Sequence, residues 1–351
     1  MVDWSLAFTT AQRLVKPGPE ISRQGAAAVV AELRECATRA EAYVTDVTGL
    51  QTPSATAPVL VVDRPGWIQA NIDAFRSILA PLNEKVVERL QSGSLAGVGG
   101  RITGVEVGAL LSYLAPKILG QFDPFHPGLD GQPGGRLLLV APNVVAVERE
   151  LQLEPADFRL WVCLHEETHR VQFTAVPWLR EHLNDAIHEV VAHTELDTAA
   201  MAQMVRDGFR VVAESLRGET EISIVDLVQT PAQREIVDRI TAVMSLLEGH
   251  ADVVMDSVGP EVIGTVDQIR AKFTVRRQGQ GLDRIVRKLL GLDAKMRQYR
   301  DGAAFCRAVI DRVGMDGFNR VWTSPETLPT RAEIGDPSLW LARVHPAADL
   351  T

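Results

Sequence analysis

Cysteine is scarce in this chain. Its three residues, Cys36, Cys163 and Cys306, are odd in number and match no zinc or redox spacing. A disulfide framework and a cysteine-based metal site are thereby excluded, and reduced, buried thiols in a reducing, cytoplasmic setting are expected. Long apolar runs are missing too. None reaches the roughly 18 uninterrupted residues that a membrane-spanning helix needs. The best candidate, residues 104–120, is broken by Glu106 and Lys117. The first turns of the chain lack the basic start and apolar stretch of a secretory signal. Concentrated positive charge is also absent: 36 Lys and Arg stand against 45 Asp and Glu, for a formal net charge of -9. The densest basic stretch, residues 270–300, is interleaved with Asp283, Asp293 and apolar residues, and reads as amphipathic helices with a solvated face. Nucleic-acid binding is not expected, because neutralising phosphates takes a concentrated positive surface.

What is present is helical periodicity. Apolar residues recur at helical spacing in residues 25–44, 67–90 (interrupted at Pro81), 105–119 and 155–173. The pattern continues in residues 181–217, 231–258, 283–299 and 303–313. Strand signals are few: Val59–Val62, and the run Arg-Leu-Leu-Leu-Val-Ala at 136–141, which Pro142 ends. Residues 92–100 read as a flexible connection and 122–135 as a loop. The Pro-rich tail from Thr323 reads as a surface wrap. The fold class expected is mainly α (α+β), with a small β component. One unit spans 1–351, with a helical part at 1–100, a core at 101–322 and the tail at 323–351. A chain of 351 residues buries a core without help from a metal, so a metal site here would serve function.

The chemistry concentrates at His165-Glu166-Glu167-Thr168-His169, an HExxH pattern inside a predicted helix. Residues four apart on a helix differ by about 40° in direction, so both imidazoles face one side, one turn apart. That lets His165 and His169 reach one zinc ion. Glu166 is offset by about 100°, beside the metal without ligating it. It suits a general base that takes a proton from metal-activated water. The plainer alternative is a pair of histidines satisfied by neighbours on a half-buried helix face. His188 and His193 are five apart, about 140° around a helix, and cannot share a metal. His182 reads as a surface residue.

Catalytic zinc takes three protein ligands and keeps one position open. Glu248 is the best third candidate: an acid set abruptly in an apolar run, Leu246-Leu247-Glu248-Gly249-His250-Ala251-Asp252, where a cation would neutralise it. Gly249 and Ala251 allow another helix to come close. Asp252, one turn on, suits a carboxylate that orients a ligand histidine from behind. His250, Glu195 and Asp197 are rival ligands, and an ion pair with an arginine is the alternative role for Glu248. Tyr299 could donate to a developing oxyanion, although a packing role is favoured. Arg276 and Arg277 could meet a substrate carboxylate, with solvated helix charges the simpler reading. Cys163 points away from the metal and reads as core.

These residues resemble the zincin-like metallopeptidase type 2 family, whose members are also labelled hydrolases or proteins associated with deazaflavin-coenzyme biosynthesis. The matching segments include Val62-Asp63-Arg64-Pro65-Gly66-Trp67, Leu119-Gly120-Gln121-Phe122-Asp123 and Ala141-Pro142-Asn143. They continue through Trp161 to Phe173, Val176-Pro177-Trp178-Leu179, Leu247 to Asp252, Lys295-Met296-Arg297-Gln298-Tyr299 and Trp322 to Pro329. The resemblance implies a zincin-like, largely helical fold and a metallopeptidase-type site. It carries over His165, Glu166 and His169 and supports Glu248 on a later helix, with Zn2+ as cofactor. It names no substrate. The leading expectation is a zinc-dependent hydrolase acting on a peptide or small amide, without nucleic-acid partners or a membrane span. The alternatives are amide or ester hydrolysis of a metabolite, and a binding protein that keeps the fold without turnover. Against the last, an intact Glu166 has no use in a binding protein.

Overall fold

The structure is a computed structural model that describes residues 2–53, 57–79, 96–127, 134–193, 231–278 and 292–346. The side chains of 96–102, 190–193, 231–233, 277–278 and 292–300 fall outside that description. The chain opens with α1 (Trp4–Leu14) and α2 (Arg23–Thr48). Ser22 caps α2 by accepting from the Gly25 N–H, and Gly49, at φ 68°, ends it in the left-handed conformation that glycine adopts without strain. Strand β1 (Val59–Val62) leads to α3 (Arg64–Ile78), capped by Asp63 with Pro65 in its first turn. Next come α4 (Ala96–Leu114), a 3₁₀ turn at Ala115–Lys117, β2 (Gly120–Asp123) and β3 (Arg136–Val140). The remaining helices among the described residues are α5 (Ala141–Glu150), α6 (Pro155–Ala175), α7 (Pro177–His193), α8 (Pro231–Val262), α9 (Val266–Gln278), α10 (Leu292–Phe318), α11 (Arg331–Gly335) and α12 (Pro337–Val344).

Among the described residues the molecule is therefore mainly helical with one small sheet. Strand order is β1-β3-β2, with β1 parallel and β2 antiparallel to β3. Being central, β3 is buried at all five positions, which is why its sequence is a near-continuous apolar run. Its one charged residue, Arg136, donates to Asp123 of β2 at 3.1 Å and to the Ala70 carbonyl at 2.9 Å.

The site helix α6 is wrapped on several sides. α2 packs along one face, α8 crosses another, and β2 runs beside it. Leu33, Val44, Phe158, Leu164, Val254 and Ile269 fill the core between α2, α6, α8 and α9. A second cluster joins α7, α8, α10 and the tail through Leu179, Leu246, Phe305, Phe318 and Trp340.

Four local expectations change. Residues 122–123, expected in a loop, belong to strand β2, because antiparallel pairing with β3 (Phe122 opposite Leu137) satisfies a stretch too short to show its own alternation. Residues 96–100, expected to be a flexible connection, are helical within α4. Pro142 ends β3 but also starts α5, since its missing N–H costs nothing in a first helical turn. The tail is more than a surface wrap: it forms α11 and α12 and buries Trp340 completely. The expected helical segments at 80–90, 194–217 and 283–291, and residues 92–95 of the expected connection, lie outside the described residues. Among the described residues, no helix is long and apolar enough to cross a membrane.

Candidate metal centre

Glu154 caps α6 by accepting from the Asp157 N–H, Pro155 occupies its first turn, and thirteen of its residues are buried, so the helix is held rigidly. His165 and His169 lie one turn apart on it. Their ring centroids are 4.8 Å apart and their planes nearly perpendicular, at 87°. Glu248 arrives from α8. One oxygen, Oε2, lies 3.6 Å from His165 Nε2 and 3.8 Å from His169 Nε2. One ligand atom from each of the three residues falls within a 4.8 Å cluster. Such spacings are too long for hydrogen bonds. They fit donors arranged around a common centre, since atoms about 2.0–2.2 Å from a tetrahedral ion sit roughly 3.3–3.5 Å from one another. The donor set, two imidazole nitrogens and one carboxylate oxygen, suits a divalent cation.

The approach of α8 depends on Gly249. It lies against Gly302 of α10, so the two helices cross with main chains in contact. The close approach expected at Gly249 is thus made with α10, and it sets the height at which Glu248 faces α6.

Glu166 is buried beside the cluster. Burial pushes its carboxyl well above the usual range, and the nearby charges of Glu248 and Glu167 push the same way. Gly120 of β2 leaves room for it. A Cβ at that position would lie 2.5 Å from Glu166 Cγ. Glu167, on the opposite side of α6, is fully buried; burial raises its carboxyl to about 7 against the pull of Arg170. Arg170 ties it to Glu41 of α2 at 2.6 Å and to the Ala57 carbonyl at 3.2 Å. Glu166 lies on the side of the His165–His169–Glu248 cluster while Glu167 is structural, a division their adjacent positions on the helix enforce.

Several of the segments that carry the family resemblance meet at β2 and the turn before it. Trp67 Nε1 donates to Gln121 Oε1 at 2.7 Å, and Gln121 exchanges hydrogen bonds with Asn71. The Asn143 amide donates to the Ala115 and Ile118 carbonyls at 2.6 Å each, and its oxygen accepts from Arg64 at 2.7 Å. These contacts hold β2 and the turn before it, so that Gly120 lies against Glu166.

The remaining candidates fall elsewhere. His250 is fully buried and faces away from the cluster, stacked on Phe318 at 5.1 Å and beside Trp322. Burial, with His169 nearby, takes its imidazolium down to about 3. It is placed behind the site as a neutral ring. Asp252 is half-buried on α8. Behind His169 stands Gln172: His169 Nδ1 lies 3.0 Å from Gln172 Oε1. Gln172, overlooked in the sequence, carries one legible signal: it follows His165 by seven residues and so shares the histidines' face of the helix. Arg276 pairs with Glu150 at 3.2 Å. His182 is half-buried, its ring centroid 6.1 Å from that of Trp178. Cys163 is fully buried, as expected of a core thiol. The side chains of Tyr299, Arg277 and His193, and all of Glu195 and Asp197, lie outside the described residues. A cavity of about 850 Å³ between α7, the start of α8 and the tail, lined by Arg234, Asp238, Arg239 and Arg331 among others, includes none of the clustered residues.

Two imidazoles one turn apart, a carboxylate from a later helix, a buried acid between them and a short strand alongside define a zincin-like protein. The chain belongs to the zincin-like metallopeptidase family, whose profile matches residues 2–341. A crystal structure from Chloroflexus aurantiacus, described as a "putative hydrolase with a novel fold", is 31% identical and superposes with a TM-score of 0.71 over 99% of each chain. No curated protein matches the chain. Family and neighbour together support a hydrolase.

Proposed function

We propose that the protein is a zinc-dependent hydrolase of amide bonds, acting on peptides. The convergence of His165, His169 and Glu248, with Glu166 held beside them, carries the reading. Zinc held there would polarise a substrate carbonyl and make a bound water acidic near neutral pH. Glu166 is the only one of the four free to take that proton. Its burial, with Glu248 and Glu167 close by, raises its affinity for a proton, which suits a group that must also return one to the leaving amine. Gly120 keeps the space around it open.

The edge of the sheet supports an extended substrate. The central strand β3 cannot take an added strand, because its main chain is already paired on both sides. Among the described residues, β2 is the edge strand beside α6, next to Glu166. A peptide laid along it would gain main-chain hydrogen bonds and bring a carbonyl to the cluster.

The test is metal analysis of freshly purified, unchelated protein, followed by cleavage of a quenched fluorescent peptide library. About one zinc per chain is expected. Glu166→Gln should keep the metal and lose cleavage. Protein without metal, or cleavage surviving in the variant, would overturn the reading.

A further inference from the structure

One buried amide joins the two helices that supply the proposed ligands. Gln172 of α6 is fully buried. Its Oε1 lies 3.0 Å from His169 Nδ1, and its Nε2 lies 3.0 Å from the Leu247 carbonyl and 3.0 Å from His250 Nδ1. Every hydrogen-bond direction in this chain follows from one atom. The Leu247 carbonyl has no proton to give, so the amide NH2 of Gln172 must face it. The amide oxygen then faces His169 and can only accept. His169 therefore carries its proton on Nδ1 and turns the lone pair of Nε2 towards Glu248. His250 Nδ1, met by the second amide proton, is an acceptor.

We propose that Gln172 is a positioning residue of the metal centre. It sets the tautomer and ring plane of His169 and registers that ligand against α8 at Leu247, the residue before Glu248. The inference rests on the zinc reading above. An imidazole that ligates through one nitrogen needs its other proton held, commonly by a carboxylate or a main-chain carbonyl. Here two carboxylates, Glu166 and Glu248, already lie close together at the site. A third behind His169 would add repulsion, whereas an amide supplies the same acceptor without charge. The amide also donates, which a carboxylate cannot, and so ties the ligand on α6 to the helix bearing the other ligand.

The test uses the full-length chain labelled with ¹⁵N-histidine. Two-bond ¹H–¹⁵N spectra of metal-free protein report which nitrogen of each ring is protonated, and His169→Gln identifies the His169 signals. The expected result is a single tautomer with the proton on Nδ1. Gln172→Met, similar in shape but without polar atoms, should give mixed tautomers and bind zinc about 10- to 100-fold more weakly in competition with a chromophoric chelator. Its thermal unfolding should stay cooperative. A wild-type His169 protonated on Nε2 overturns the proposal whether or not the variant folds. So does a variant with unchanged tautomer and zinc affinity. Wild-type protein that shows the Nδ1 tautomer yet takes up no zinc overturns the zinc reading and leaves the amide relay standing.

Discussion

Gly249 of α8 and Gly302 of α10 meet main chain against main chain. A Cβ on Gly249 would lie 2.2 Å from the Gly302 carbonyl carbon, and a Cβ on Gly302 would lie 1.9 Å from the Ser245 oxygen. No side-chain rotation relieves either collision. The crossing therefore requires glycine on both helices, and Glu248 sits one residue from it. Gly302→Ala should force the helices apart, cost about 3 kcal/mol by the overpacking scale, and weaken zinc binding. Urea unfolding with a zinc titration checks both effects. Wild-type values for both would show that the crossing does not set Glu248.

Gly120 faces a different obstacle. The atoms nearest a Cβ there, at 2.5 and 2.7 Å, belong to the Glu166 side chain, which can rotate away. Gly120→Ala should therefore spare stability, within about 1 kcal/mol, but displace Glu166, the proposed general base. A loss of about 100-fold or more in kcat/KM with zinc retained is expected. Full activity in the variant would remove Gly120 from the site.

The Glu333–Arg343 pair gives a pH signature. Burial alone would raise the Glu333 carboxyl. Hydrogen bonds from Arg343 and the Thr330 N–H, with the Arg343 charge, outweigh it and hold the group below its ordinary value of 4.5. A depressed folded value means the stabilisation is complete above the unfolded value and is lost as pH falls through the folded one. Glu333→Gln should cost about 1 kcal/mol at pH 7, a modest figure because Arg343 is partly exposed. The variant should lose less stability than the wild type between pH 5 and pH 3. Denaturant unfolding at both pH values decides it: parallel losses would deny the pair its role.

Trp340 tests whether the tail belongs to the core. Its ring is fully buried against Phe305 at 5.8 Å, and its Nε1 donates to the Thr327 carbonyl at 2.8 Å. Trp340→Ala should destabilise by about 3–5 kcal/mol. A change under about 1 kcal/mol in equilibrium unfolding would make the tail an accessory.

Part of the site was legible because its signals are short-range. HExxH on a helix places two rings on one face whatever surrounds them. Glu248 stood out because a carboxylate among leucines needs a counter-charge. The group behind His169 was not legible: it is a neutral amide three residues further along its own helix. The chain could not show that the Leu247 carbonyl would sit opposite that amide. β2 was missed for a similar reason: four residues carry too little alternation, and only pairing with β3 makes them a strand.

By itself, the sequence determined the helical character of the chain, the central strand, the paired histidines and the acid between them. Each depends on periodicity or composition over a few turns. The tertiary structure alone decided that the α8–α10 crossing brings Glu248 to the rings, that β2 forms the edge beside Glu166, and that Gln172 orients His169. Those outcomes depend on how helices distant in the chain approach one another. That approach is set by close contacts such as Gly249 on Gly302, which no local pattern encodes.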